Sequence, residues 1–373
     1  MRLLSPYRYR RMVAILIMVT VHHTNIYADT FGKSEFPALP TAPQQIFTAH
    51  SGLALTAVAF SPRCDYLVSA AKDQISRWDR TADNKWSANW SIKDKSGELI
   101  TTLAISSDEA AIAFGTYNGH VQILDPATGG LQRSLVAQNP EQIPRSGDDA
   151  FEENTKGEWV TATAFCPNNP VELVVATLTG SVFLWDIITG QLIRTFQGHT
   201  DSVTALAFYQ NGRLLVSGSW DGTIRIWDLQ SGQEILPKLL TDQQRVNSIS
   251  ISADRLIASG PDASILTWDL SVSPPSITHI SNSRVSTGGR LAFSPNSDYF
   301  FAPMLDAIYV WSIEGKNFKR FGSIRKLRVS DIYQSLAIGF NWQEDLFYLV
   351  VGTVNGRLVI WDMRQAVGPA AFE

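Results

Sequence analysis

Residues 221–228 read DGTIRIWD, in which Ile224 and Ile226 alternate with Thr223 and Arg225, the period of two expected of a strand with one buried face. The ending recurs as DQISRWD (73–79), NGHVQILD (118–125), TGSVFLWD (179–186), DASILTWD (262–269), DAIYVWS (306–312) and NGRLVIWD (355–362), which makes seven copies. A second apolar run precedes each copy: AVAFSP from 57, LAISS from 103, TAFCP from 163, LAFYQ from 206, SISIS from 248, LAFSP from 291 and AIGFN from 337. A third lies between the two, as in RLLVSGS at 213–219. Each unit is therefore predicted as three or four short strands joined by turns of the Asp-Gly and Asn-Gly kind, with no long helical period competing.

The final apolar marker falls at Trp78, Leu124, Trp185, Trp227, Trp268, Trp311 and Trp361, with spacings of 46, 61, 42, 41, 43 and 50. Gly198-His199, followed 28 residues after the histidine by Trp227-Asp228, resembles a WD40 repeat, and the likeness runs from about residue 43 to residue 364. It implies an all-β fold, a seven-bladed β-propeller, as one domain over 43–364. Only 12 residues follow Trp361, while QQIFTAH at 44–50 offers an apolar pair and a histidine ahead of the first unit. We therefore expect this N-terminal strand to complete the last blade and close the ring, leaving no open edge.

Outside the repeats, Arg2, Arg8, Arg10 and Arg11 precede the apolar run MVAILIMVTV at 12–21, and IYA follows at 26–28. A basic head, a short apolar core and IYA before Asp29 read as an export signal cleaved after Ala28, the apolar run being too short to span a bilayer comfortably. An anchor left uncleaved, or a cytoplasmic protein with a misleading N-terminus, are the alternatives. Residues 29–42 read as a Pro-containing linker, 137–158 as an acidic loop insertion rich in Pro, Asn and Gly, and 365–373 as a short tail. Loss of residues 1–28 removes four of 31 basic residues and none of 35 acidic ones, leaving 27 against 35 and a net charge of −8. That balance opposes a nucleic-acid surface. With two cysteines, Cys64 and Cys166, at equivalent places two units apart, neither a disulfide framework nor a cysteine zinc site is expected.

His199, Ser217 and Asp221 are the residue types of a hydrolase triad, and the same set appears in the first unit as His50, Ser69 and Asp73. Elsewhere the Ser position holds Phe114, Val175, Ala258, Ala302 and Val351, a decay into hydrophobes that an active site would not show. The resemblance implies instead that each set, with Trp227 or Trp78, is a buried hydrogen-bonded tetrad tying a tight turn to the preceding loop. His50, His120, His199 and His279 are too dispersed for a metal set, and no Gly-rich loop opens a helix, so no metal or cofactor is expected.

The resemblance also implies that partners contact the narrower face, with the residue before each turn Asp pointing into it. Those positions are Lys72, Tyr117, Leu178, Trp220, Pro261, Leu305 and Val354, and a second set ahead of each inner strand is Ala54, Leu99, Trp159, Ser202, Arg245, Thr287 and Gln334. Trp159, Trp220, Tyr117 and Arg245 are of the types enriched at interface hot spots. The expected function is a non-catalytic scaffold that binds a protein or peptide, exported to the periplasm or secreted, with Trp220, Trp159, Tyr117, Arg245, Leu305, Lys72, Leu178 and Val354 in the contact. The alternative is an exported propeller enzyme, a quinone-dependent dehydrogenase or a lyase, using the central channel.

Overall fold

The structure is a computed structural model. It describes residues 39–363 except 41, 139–156, 236–238, 242–244, 261–264, 273–274, 282–290, 295–296, 304–306, 315–316, 326–331, 342 and 345. The signal segment 1–28, most of the linker, the acidic insertion over 139–156, the tail 365–373 and Leu305, Pro261 and Thr287 thus lie outside the described residues.

The described strands form seven four-stranded antiparallel sheets, the blades of a propeller. Blades 1 to 6 use consecutive strands within residues 57–93, 100–136, 160–196, 203–240, 248–281 and 292–325. Blade 7 takes three strands from Tyr333–Asn341, Leu346–Thr353 and Arg357–Asp362, and its outer strand is Gln45–Thr48, which pairs with Arg357–Asp362 from Gln45 opposite Ile360 to Thr48 opposite Arg357. Inner strands lie side by side in order, and Tyr333–Asn341 lies against Ala57–Phe60.

Both faces of each sheet are covered, which is why the second strands, such as Leu214–Ser219 and Leu346–Thr353, are buried along their whole length instead of alternating. The core is not one central mass. Each of the seven apolar clusters draws on two neighbouring blades: Trp227 with Val174 and Leu184 between blades 3 and 4, Trp361 with Phe301 and Val310 between 6 and 7, and Tyr348 with Trp78 and Leu67 between 7 and 1. Leu39 is 3% exposed in the cluster of blades 6 and 7, and Pro40 is also buried, so the end of the segment read as a linker is packed into the propeller.

Polar latches join the rims. The turns after the third strands of blades 2, 3 and 4 share the pattern Asp-x-x-Ser/Thr-Gly, in which Asp125, Asp186 and Asp228 accept from the backbone N–H of Thr128, Thr189 and Ser231. The preceding blade reaches each turn: Trp90 and Arg77 donate to the Pro126 carbonyl, Arg133 to those of Ile188 and Thr189, and Arg194 to those of Gln230 and Ser231. At the closing seam Gln44 plays this part toward the Asn84 carbonyl, and Gln45 exchanges two hydrogen bonds with the Trp86 backbone.

Candidate functional site

Turn geometry brings described members of the two predicted sets of face residues to one end of the blades. Within blades 2, 3, 4 and 7 the residue before the turn donates its N–H to a carbonyl ahead of the inner strand: Tyr117 to Leu99, Leu178 to Trp159, Trp220 to Ser202 and Val354 to Ile332, at 2.9 to 3.0 Å. Next to these bonds, threonines near the start of the inner strands lock neighbouring blades: Thr101 donates to the Val160 carbonyl, Thr161 to that of Val203 and Thr204 to that of Val246. Sequence reasoning missed these threonines, although their signal is present in the openings VTATAF (160–165) and VTALAF (203–208).

Two aromatic assemblies stand on this end. The rings of Tyr117 and Trp159 lie 4.6 Å apart at 45°, and the Arg245 guanidinium sits 4.6 Å from the Trp220 ring centroid. The Trp220 indole N–H donates to Asn247 Oδ1 at 3.2 Å, which fixes the ring beneath the arginine. Tyr117, Lys72 and Arg245 are exposed, while Trp159, Leu178, Trp220 and Val354 are half-buried. Lys72 differs from the rest, because its turn is shorter and its carbonyl accepts from Ile100 N–H of the next blade.

Beneath the face, the triad-like residues of blade 4 form a closed polar chain. Trp227 Nε1 donates to Ser217 Oγ at 2.8 Å, Ser217 lies 2.8 Å from His199 Nε2, and His199 Nδ1 lies 2.8 Å from Asp221 Oδ2. Burial would raise the Asp221 pKa, but hydrogen bonds from His199 and Thr223 outweigh it and hold the carboxyl well below the usual carboxylate range. Ser217 is fully buried with its oxygen already engaged, so no substrate reaches a nucleophile there.

In blade 1 the expected tetrad is only three residues. His50 Nε2 and Trp78 Nε1 both meet Ser69 Oγ at 2.9 Å, but Asp73 does not join them. The cause is the turn: Ala71 pairs with Gln74, so Lys72 and Asp73 alone make it, whereas in blade 4 Gly218 pairs with Ile224. Gln74 approaches the imidazole without completing a hydrogen bond to Nδ1, and burial lowers the His50 pKa. Blades 2 and 3 lack the histidine and use a glutamate the sequence reading overlooked. Glu98 accepts from Thr116 and Asn118, and Glu158 accepts from Thr177 and Thr179, tying loop to turn in the same place.

Among the described residues no group of three or more His, Cys, Asp or Glu side chains could hold a metal ion. Cys64 lies in a turn at φ 60° and Cys166 ends an inner strand, so the two are not equivalent; both are buried and unpaired, and burial pushes each thiol pKa up.

Residues 190–228 match the model of the WD domain, G-beta repeat, and residues 58–144 match that of the anaphase-promoting complex subunit 4 WD40 domain. Together with seven four-stranded blades, these matches decide the family. The chain is a WD40-repeat protein. Protein ROOT INITIATION DEFECTIVE 3 of Arabidopsis thaliana is 28% identical over 300 residues, 71% of this chain and 67% of that relative. Autophagy-related protein 16 of Arabidopsis thaliana is 23% identical over 78% of this chain and 52% of its own length, and Pre-mRNA-processing factor 19 homolog 2 is 26% identical over 53% and 34%. This WD40 chain thus spans between about a third and two thirds of the length of these relatives.

Proposed function

We propose that this WD40 propeller is a non-catalytic scaffold that binds a protein or peptide along the arc Tyr117, Trp159, Leu178, Trp220 and Arg245. One observation carries the reading: two aromatic assemblies, partly open to solvent, stand on the same end of adjoining blades and are held there by backbone hydrogen bonds. Rigid aromatic and arginine groups give contact area at small entropic cost, the profile of interface anchors. The WD40 relatives support a scaffold in general terms, and their names speak of root initiation, autophagy and pre-mRNA processing, so the resemblance carries a mode of action and no single pathway. The inaccessible Ser217 speaks against a hydrolase triad in blade 4.

Pull-down with quantitative mass spectrometry tests the arc. Changing Trp159 and Trp220 to Ala is expected to abolish capture of the partner while the thermal midpoint stays within a few degrees of the parent. Capture at the parental level would refute the arc. Export rests on residues 1–28 alone and predicts Asp29 as the first residue of the mature chain, to be read by N-terminal sequencing.

A further inference from the structure

Resting on the scaffold reading, we propose that the junction of blades 4 and 5 is a carboxylate-recognition site, taking one Asp or Glu side chain of the peptide that lies along the arc.

Three carboxylates at this end of the molecule are already engaged: Glu98 by Thr116 and Asn118, Glu158 by Thr177 and Thr179, and Asp221 by His199 and Thr223. At the junction of blades 4 and 5 the unspent groups are donors. Arg245 is exposed and forms no ion pair among the described residues, while its guanidinium carbon lies over the Trp220 ring. Behind it runs a narrow cleft lined by Thr241, Val246, Ala258, Ser259 and Gly260. Ser259 is 2% exposed, and its hydroxyl has no hydrogen-bond partner among the described residues. A buried hydroxyl without a partner costs free energy, and a ligand oxygen entering the cleft relieves that cost.

These features fit one ligand chemistry. The Trp220 ring, itself pinned by Asn247, lies beneath the guanidinium and helps to order it, and the guanidinium N–H groups, engaged in no ion pair among the described residues, are available to the two oxygens of a carboxylate. The floor has room for about one water-sized group, enough for a single oxygen to accept from Ser259 and too little for a ring or a cofactor. A single arginine matches the single charge of a carboxylate. A phosphoryl group, near two charges, is ordinarily held by a cluster of arginines.

Fluorescence polarisation on the full chain provides the test. The probes are labelled synthetic peptides carrying Asp or Glu between Leu and Phe, with Asn, Gln and phosphoserine counterparts. Acidic peptides are expected to bind at least about tenfold more tightly than their amide counterparts, the scale of a hydrogen bond to a charged group. Arg245→Gln should erase that preference, Arg245→Lys should keep part of it, and Ser259→Ala should reduce it a few-fold. Trp159→Ala should weaken acidic and amide peptides alike, because it touches the other assembly. Equal binding of acidic and amide peptides, a preference that survives Arg245→Gln, tighter binding of the phosphoserine set, or no binding by any peptide would each overturn the carboxylate site. The arc itself is decided separately by capture with the Trp159 and Trp220 variants, so a carboxylate site can fail while the arc stands.

Discussion

Ser217 Oγ receives the Trp227 indole N–H and faces His199 Nε2, so one hydroxyl carries a buried chain of four side chains. Ser217→Ala would leave an indole donor and an imidazole nitrogen without partners, at an expected cost of about 1–3 kcal/mol in urea unfolding. Trp185 and Trp311 show the alternative: Val175 and Ala302 stand in the sequence where Ser217 does in blade 4, and the Nε1 atoms of both indoles have no hydrogen-bond partner among the described residues. pH separates the two clamps. Asp221 has a depressed pKa in the folded state, so its contribution is present above the unfolded aspartate value of about 3.9 and is lost as pH falls through the lower folded value. His50 is also depressed, so its contribution is present above about pH 6.5 and is lost on acidification toward its folded pKa. The urea midpoint of the parent should therefore drop between pH 7.5 and 5.5, whereas His50→Gln should show a smaller drop. An equal drop in both would remove His50 as the cause.

The turn latches set the geometry between adjacent blades. Gly190 and Gly232 adopt φ of +76° and +75°, and a Cβ on either would lie 2.6 Å from Arg133 Nη1 or 2.5 Å from Arg194 Cδ. Gly190→Ala should destabilise by about 1–2 kcal/mol from left-handed strain alone, with a further loss if Arg133 is displaced from the Ile188 and Thr189 carbonyls. Urea titration of Gly190→Ala, Arg133→Ala and the double variant checks this, and sub-additive costs are expected because the two changes break the same latch. The strands themselves were legible from alternation and from the repeated Trp-Asp ending. The latches were not, since Arg133 and Ile188 are 55 residues apart and nothing in either segment names the other.

Across the whole molecule, stability is distributed over seven inter-blade clusters, and the seam between blades 7 and 1 is as apolar as the others, with Tyr348, Trp86 and Phe60 in mutual ring contact. The strand Gln45–Thr48 covers what would otherwise be the free edge of Arg357–Asp362. Removing residues 39–48 should expose that edge and uncover the core beside Leu39, and the expected result is a shift to larger species than the parent in size-exclusion chromatography. An elution volume and thermal midpoint like the parent's would show that the strand is dispensable.

Taken alone, the amino-acid order determined the family, the number of units, the strand periodicity and which residues occupy the turns. Each of these follows from local alternation, turn chemistry or a repeat that can be counted along the chain. Only the tertiary structure decided which of those residues act together. The one-residue difference between the turns at Lys72 and Trp220 separates Asp73 from His50 while Asp221 reaches His199, because a clamp needs side chains within hydrogen-bond range and not merely in the right order. It likewise places Arg245 on Trp220 in front of the Ser259 hydroxyl, three residues from two blades whose meeting depends on the angle between sheets.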